Sequence, residues 1–126
     1  MKELYLTEEE KGISGEQLEK MLDDLLVQYP DAKKVLIIPP DYTRCYSYAG
    51  EITQLLYKKL SQSAEVDVIP ALGTHMAMNE EEMQKFFGDV VPRERIIVHH
   101  WQTDTVCLGY VPAEVCSEIS DGLFPE

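Results

Sequence analysis

Long apolar runs are missing from this sequence. No stretch approaches the roughly 18 apolar residues that a membrane span requires, and Met1-Lys2-Glu3-Leu4 opens no apolar run of signal-peptide length. Basic residues are scarce: 11 Lys and Arg stand against 23 Asp and Glu, for a net charge of −12. So acidic a surface repels phosphate backbones and anionic lipid, which argues against nucleic acid and membrane as partners. Cysteine is scarce as well. Cys45, Cys107 and Cys116 make an odd number without Cys-x-x-Cys spacing, which argues against a disulfide framework and a structural zinc site. A reducing cytoplasm fits these absences. Gly-x-Gly-x-x-Gly and P-loop patterns are lacking, so neither a dinucleotide nor a nucleoside triphosphate is indicated. Repeats and low-complexity segments are lacking too.

What is present is an alternation of apolar strands and amphipathic helices. The 126 residues, 44% of them hydrophobic, suit one globular domain. Ser14-Gly15-Glu16-Gln17 is a capping box, and Leu18, Met21, Leu22, Leu25 and Leu26 follow at helical spacing until Pro30. Residues 34–39 read as a buried strand, because four consecutive apolar side chains do not fit one face of a half-exposed sheet. A helix follows over roughly 48–61, with Ile52, Leu55, Leu56 and Leu60 on one stripe. Val66, Val68 and Ile69 form a second strand. Asn79 caps a third helix, Glu80, Glu81 and Glu82 occupy its first turn, and Gly88 stands where a helix ends. Arg95 to His99 reads as a third strand and Thr105 to Val111 as a shorter fourth. The acidic runs Glu8-Glu9-Glu10, Asp23-Asp24 and Glu80-Glu81-Glu82 read as solvated helix faces or first turns. The order predicts an α/β fold: three layers, a mainly parallel sheet with helices on both faces, Rossmann-like, joined by right-handed crossovers. Phe124-Pro125-Glu126 ends the chain without a capping helix or polar tail, so residues 1–126 are expected to be a single domain of a longer protein.

Two strands run into chemically loaded turns. Ile69-Pro70-Ala71-Leu72 leads into Gly73-Thr74-His75, and Val35-Leu36-Ile37-Ile38 leads through Pro39-Pro40 into Asp41-Tyr42-Thr43-Arg44. Open α/β sheets place their ligands at the carboxyl ends of strands. If the two strands are parallel neighbours, one cleft collects a carboxylate, a hydroxyl, a guanidinium and an imidazole. Imidazole is the side chain that ordinarily changes charge near neutrality, so His75 is the candidate to take a proton from a hydroxyl. Gly73 lets the backbone turn sharply or approach a ligand. Arg44 either pairs with Asp41 across the turn or clamps a carboxylate or phosphate in two-point fashion. Asp41 either orients Arg44 or accepts a ligand hydroxyl, and Thr43 hydrogen-bonds within the turn.

Other residues are weaker candidates. His99 and His100 are adjacent on an expected strand and so point to opposite faces, which does not suit chelation. Tyr42, Tyr46 and Tyr48 line the pocket mouth or pack over the sheet end. Cys45 reads as packing, and Met76 and Met78 as flexible apolar wall.

These motifs resemble the amino-terminal domain of the lactate racemase family, enzymes that use a nickel-pincer nucleotide. The correspondence runs from about Val35 to Val111. It includes the strand and Asp-x-Thr-Arg at 35–44, Ala-Leu-Gly-Thr-His at 71–75, Asn79-Glu80-Glu81-Glu82-Met83, and the His99 to Gly109 stretch with its Cys-Leu-Gly. The resemblance implies an isomerase acting on a small 2-hydroxyacid, with His75 as acid/base and Asp41 and Arg44 at the substrate or cofactor site; Thr43 and Gly73, in the same two turns, are placed at that site with them. Cys45 stands where relatives usually carry proline, and Met76 where they often carry a basic residue. It further implies that the cofactor-bearing lysine, a nickel-binding histidine and a second acid/base histidine belong to a carboxyl-terminal domain beyond Glu126. No cofactor is then expected covalently on this chain, no metal ligand is assigned within it, and the chain alone is expected to be inactive. The alternative reading is a non-enzymatic domain that holds a small carboxylate or phosphate.

Overall fold

The computed structural model describes residues 3–5, 7 and 11–124; the acidic run Glu8-Glu9-Glu10 lies outside them. Helix α1 (Gly15–Leu26) begins at the expected capping box. The Gln17 amide donates to Ser14 Oγ at 3.2 Å and the Ser14 amide donates to Gln17 Oε1 at 2.8 Å, which satisfies two amides that a helix start leaves without partners. Strand β1 (Lys34–Ile37) is followed by a 3-10 segment (Tyr42–Ser47) and helix α2 (Ala49–Leu60). Strand β2 (Glu65–Val68) leads to helix α3 (Glu80–Phe87), which Asn79 and Glu82 cap reciprocally. A short 3-10 turn (Arg93–Arg95) and helix α4 (Ala113–Ile119) complete the described elements.

β1 and β2 pair in parallel, Val35 opposite Val66 and Ile37 opposite Val68. Successive strand residues face opposite sides, so these four side chains share one face. That face packs on Tyr57 of α2 and on Phe86 and Phe87 of α3, with Val91 completing the buried cluster. The Phe86 and Phe87 rings meet edge to face with centroids 5.0 Å apart. Full burial of side chains of this size is worth about 1.5–3 kcal/mol each, so this one layer supplies most of the core. α1 joins through Leu22 and through Lys59 of α2, whose Nζ lies 2.7 Å from Asp23.

The opposite face departs from expectation. Leu36 and Ile38 are 52% and 63% exposed, so residues 34–39 are not a strand buried on both sides. On the same side as Leu36, Arg95 Nη1 bonds Asp67 at 3.1 Å and Glu65 at 3.3 Å. The polar-apolar alternation of Glu65-Val66-Asp67-Val68 has the same cause: α2 and α3 cover a single face. The described residues therefore form a mixed α/β fold with a small two-stranded parallel sheet, without a second helical layer.

The expected third strand shrinks to one parallel bridge, Val68 to Ile96, with the Ile97 amide donating to Val68 O at 2.7 Å. The expected fourth strand over 105–111 joins no ladder, and Val106, Leu108 and Tyr110 are exposed. An isolated strand has nothing to satisfy its backbone, so apolar alternation alone does not make one. α4 was not foreseen; Pro112 is its N-cap, where a missing N–H costs nothing to the helix.

At Gly50, α2 lies close against α3. A Cβ there would lie 2.4 Å from the Phe86 carbonyl oxygen, which also accepts a hydrogen bond from Gln54 Nε2 at 3.0 Å. Gly50→Ala should destabilise the domain by about 1–3 kcal/mol, as overpacking does. In an exposed helix the same change would stabilise by about 1 kcal/mol, so the sign is diagnostic. Urea unfolding of both proteins measures it, and an equally stable variant would refute the close contact.

Candidate functional site

The pairing of β1 with β2 does not stop at the strand ends. The Ile69 amide donates to Ile37 O at 2.9 Å and the Ala71 amide to Pro39 O at 2.8 Å, and Pro40 bridges Ala71. The two turns are thus stitched side by side up to the residue before Asp41. Beyond Ala71 the chain reverses: the His75 amide donates to Leu72 O at 2.9 Å, and Gly73 sits at φ +59°. A Cβ on Gly73 would meet nothing within 4 Å, so glycine serves the left-handed backbone there and relieves no crowding.

Asp41 is the centre of the cluster. It is 2% exposed and accepts from three side chains. Thr43 Oγ1 donates to its Oδ1 at 2.6 Å, Arg44 Nη1 donates to the same oxygen at 3.2 Å, and His75 Nδ1 is hydrogen-bonded to Oδ2. Four residues named from sequence thus meet, and Gly73 shapes the turn that carries one of them. The direct pairing of Asp41 with His75, 34 residues away, was not foreseen. Its only trace in the sequence is that both motifs follow apolar strands at similar distance.

The cluster is buried at the carboxylate and open at its other groups. The His75 side chain is 50% exposed and that of Arg44 63%. Among the described residues, Arg44 uses only Nη1, leaving the rest of its planar fork to solvent or a ligand. Its backbone, at φ −108° and ψ 31°, breaks the 3-10 segment, and the Ser47 hydroxyl donates to its carbonyl at 2.7 Å. Hydrogen bonding from Thr43 holds the Asp41 carboxyl below its ordinary range. Burial opposes this, while the hydrogen bond and charge of His75 and the charge of Arg44 add to it.

The weaker candidates sort differently. Tyr42 packs edge-on against Phe86, and Cys45 and Met78 lie against the core cluster. Tyr46 and Met76 are exposed. Tyr42, Tyr46 and Tyr48 share a groove of about 410 Å³ with Gln54 and Lys85, but Asp41, Arg44 and His75 do not line it. The groove therefore lies beside the polar cluster and not over it. The His100 amide donates to Asp104, and no three His, Cys, Asp or Glu among the described residues could hold a metal ion together. No helix among them is long and apolar enough to cross a membrane.

A carboxylate whose folded pKa is depressed adds stability above its unfolded value and loses it as pH falls through the folded one. Asp41→Asn should therefore cost about 1–2 kcal/mol near neutrality, the difference between charged and neutral acceptors. The gap from the parent should narrow as pH drops below the ordinary value of 3.8. Melting temperatures of both proteins across pH test this, and a gap independent of pH would refute it.

The model of the lactate racemase N-terminal domain matches residues 7–120 of this chain. Comparisons with curated proteins and with solved structures found no match.

Proposed function

Because this chain belongs to the lactate racemase N-terminal domain family, we propose that it is the amino-terminal domain of a longer cytoplasmic 2-hydroxyacid racemase or epimerase. The observation that carries this reading is the Asp41-centred cluster, which sets a half-exposed imidazole and an exposed guanidinium on one buried carboxylate at two adjoining strand ends. In this reading the Rossmann-like third layer is completed by chain outside the described residues.

The donor set suits a hydroxyacid. Its carboxylate takes the unused donors of Arg44, which fit two parallel hydrogen bonds. Its hydroxyl then lies toward His75, which accepts the hydroxyl proton as the carbon–oxygen bond gains double-bond character. Asp41 keeps the imidazole in place and stabilises the positive charge that it gains. Returning the proton as the opposite face of the same carbon is rebuilt inverts the centre. The nickel-pincer nucleotide, when bound, supplies the acceptor for the hydride that leaves that carbon. One imidazole, one guanidinium and a carboxylate already committed to three donors fit the substrate side of such a site. Among the described residues they do not make a metal-ligand set, and this reading assigns the holding of the group to the carboxyl-terminal domain.

The test compares the complete protein with this 126-residue chain, each incubated with D- and L-lactate and analysed by chiral chromatography. The complete protein should interconvert the enantiomers and the chain alone should not. His75→Ala should lower kcat/KM by about 10²–10⁴, the usual contribution of a positioned acid/base. Arg44→Lys should lower it about tenfold to a hundredfold, the loss of one charge-assisted hydrogen bond, with a much smaller effect on melting temperature, because lysine still offers Asp41 a charged donor. Turnover by the chain alone, or wild-type kinetics of either variant, would overturn the assignment. Lactate binding by the complete protein without turnover would replace it with the anion-binding reading.

A further inference from the structure

We propose that Asp41 and Thr43 are positioning residues that hold neutral His75 as its Nδ1–H tautomer, leaving Nε2 as the nitrogen that exchanges a proton with a ligand. The proposal deepens the acid/base reading of this cluster, and its test does not depend on turnover.

The argument is a count of protons. Arg44 has only donors, and the Thr43 hydroxyl has a single proton, which at 2.6 Å goes to Asp41 Oδ1. An ionised carboxylate has only acceptors. Asp41 Oδ2 therefore requires a donor from the ring nitrogen that faces it, and that nitrogen is Nδ1 of His75. A neutral imidazole carries one proton, so Nε2 keeps its lone pair. At 2% exposure Asp41 offers little room for water to compete for Oδ2, so the pairing is not diluted by solvent. The depressed pKa of Asp41 keeps it an acceptor throughout the neutral range.

Asparagine at position 41 has a predictable effect of a different kind. Its carbonyl oxygen must stay with Thr43 and Arg44, because an NH₂ group cannot accept from two donors. The NH₂ then takes the place of Oδ2 and faces Nδ1 as a donor. A ring nitrogen opposite a donor must accept, so the proton moves to Nε2. Asp41→Asn thus inverts the tautomer. Thr43→Val removes the hydroxyl that pins Oδ1, so the carboxylate can turn away from the ring, and molecules in which it has turned lose the tautomer bias; Thr43→Ser keeps the hydroxyl and should preserve the parent pattern.

Two-bond proton–nitrogen correlation spectra of the uniformly ¹⁵N-labelled 126-residue chain, recorded above the imidazole titration, read this directly. His75→Gln assigns the signals against those of His99 and His100. The parent should show a pyrrole-type Nδ1 and a pyridine-type Nε2, Asp41→Asn the two types exchanged, Thr43→Val averaged shifts, and Thr43→Ser the parent pattern. A parent with Nε2 protonated or with free-imidazole averages would overturn the proposal, as would an Asp41→Asn spectrum unchanged from the parent. If Asp41→Asn does not fold, the Thr43→Val and Thr43→Ser pair decides, and identical spectra for the two refute the positioning role. The expected spectra in a protein whose complete form turns over no hydroxyacid would remove the functional reading and leave this assignment standing.

Discussion

The continuous parallel pairing of two short strands is the constraint on which the rest depends. Four residue pairs form the ladder, and two further amide bonds carry the register past Ile37 and Val68 to Pro39 and Ala71. Because the strands are parallel, both chains leave the sheet at the same end. Because the register is held to Pro40 and Ala71, Asp41 leaves the sheet beside Ala71, and the reversal that follows from Leu72 carries His75 to it. A slip of one residue would turn Val66 and Val68 to solvent and pull the turns apart. The hydrophobic face of the sheet and the polar cluster are therefore secured by the same hydrogen bonds.

Burial is distributed unevenly, and the distribution suits chemistry. Asp41 is the buried member and His75 and Arg44 are the open ones. A buried carboxylate is stable only with donors around it, and here three side chains provide them. The outward groups then sit on a rigid base while keeping surface for a ligand. The nearby tyrosine-lined groove shares Tyr42, Cys45 and Tyr46 with the same 3-10 segment but not Asp41, Arg44 or His75.

Much of this was legible because local signals have local causes. Ser14 with Gln17 and Asn79 with Glu82 cap their helices through bonds spanning three residues, so sequence spacing alone contains them. Gly88 ends α3 at φ 58°, a conformation that glycine adopts without strain. Thr43 within its turn is another bond between near neighbours. The strands past residue 95 were misread because β structure is completed only by a partner. Val106, Leu108 and Tyr110 alternate as a strand would, yet no neighbour among the described residues pairs with them. Leu36 and Ile38 were expected inside because apolar character states a preference for burial, not the presence of something to cover them.

The sequence by itself determined the three main helices, the two strands, the family, and the identity of the residues at the strand ends. All of these rest on periodicity, caps and motifs that act over a few residues. Only the tertiary structure decided that helices cover one face of the sheet and that Gly50 lies against the Phe86 carbonyl. It also decided that Asp41 binds His75 as well as Arg44. A contact across 34 residues depends on strand register and turn geometry together, and neither is written in the residues that make the contact.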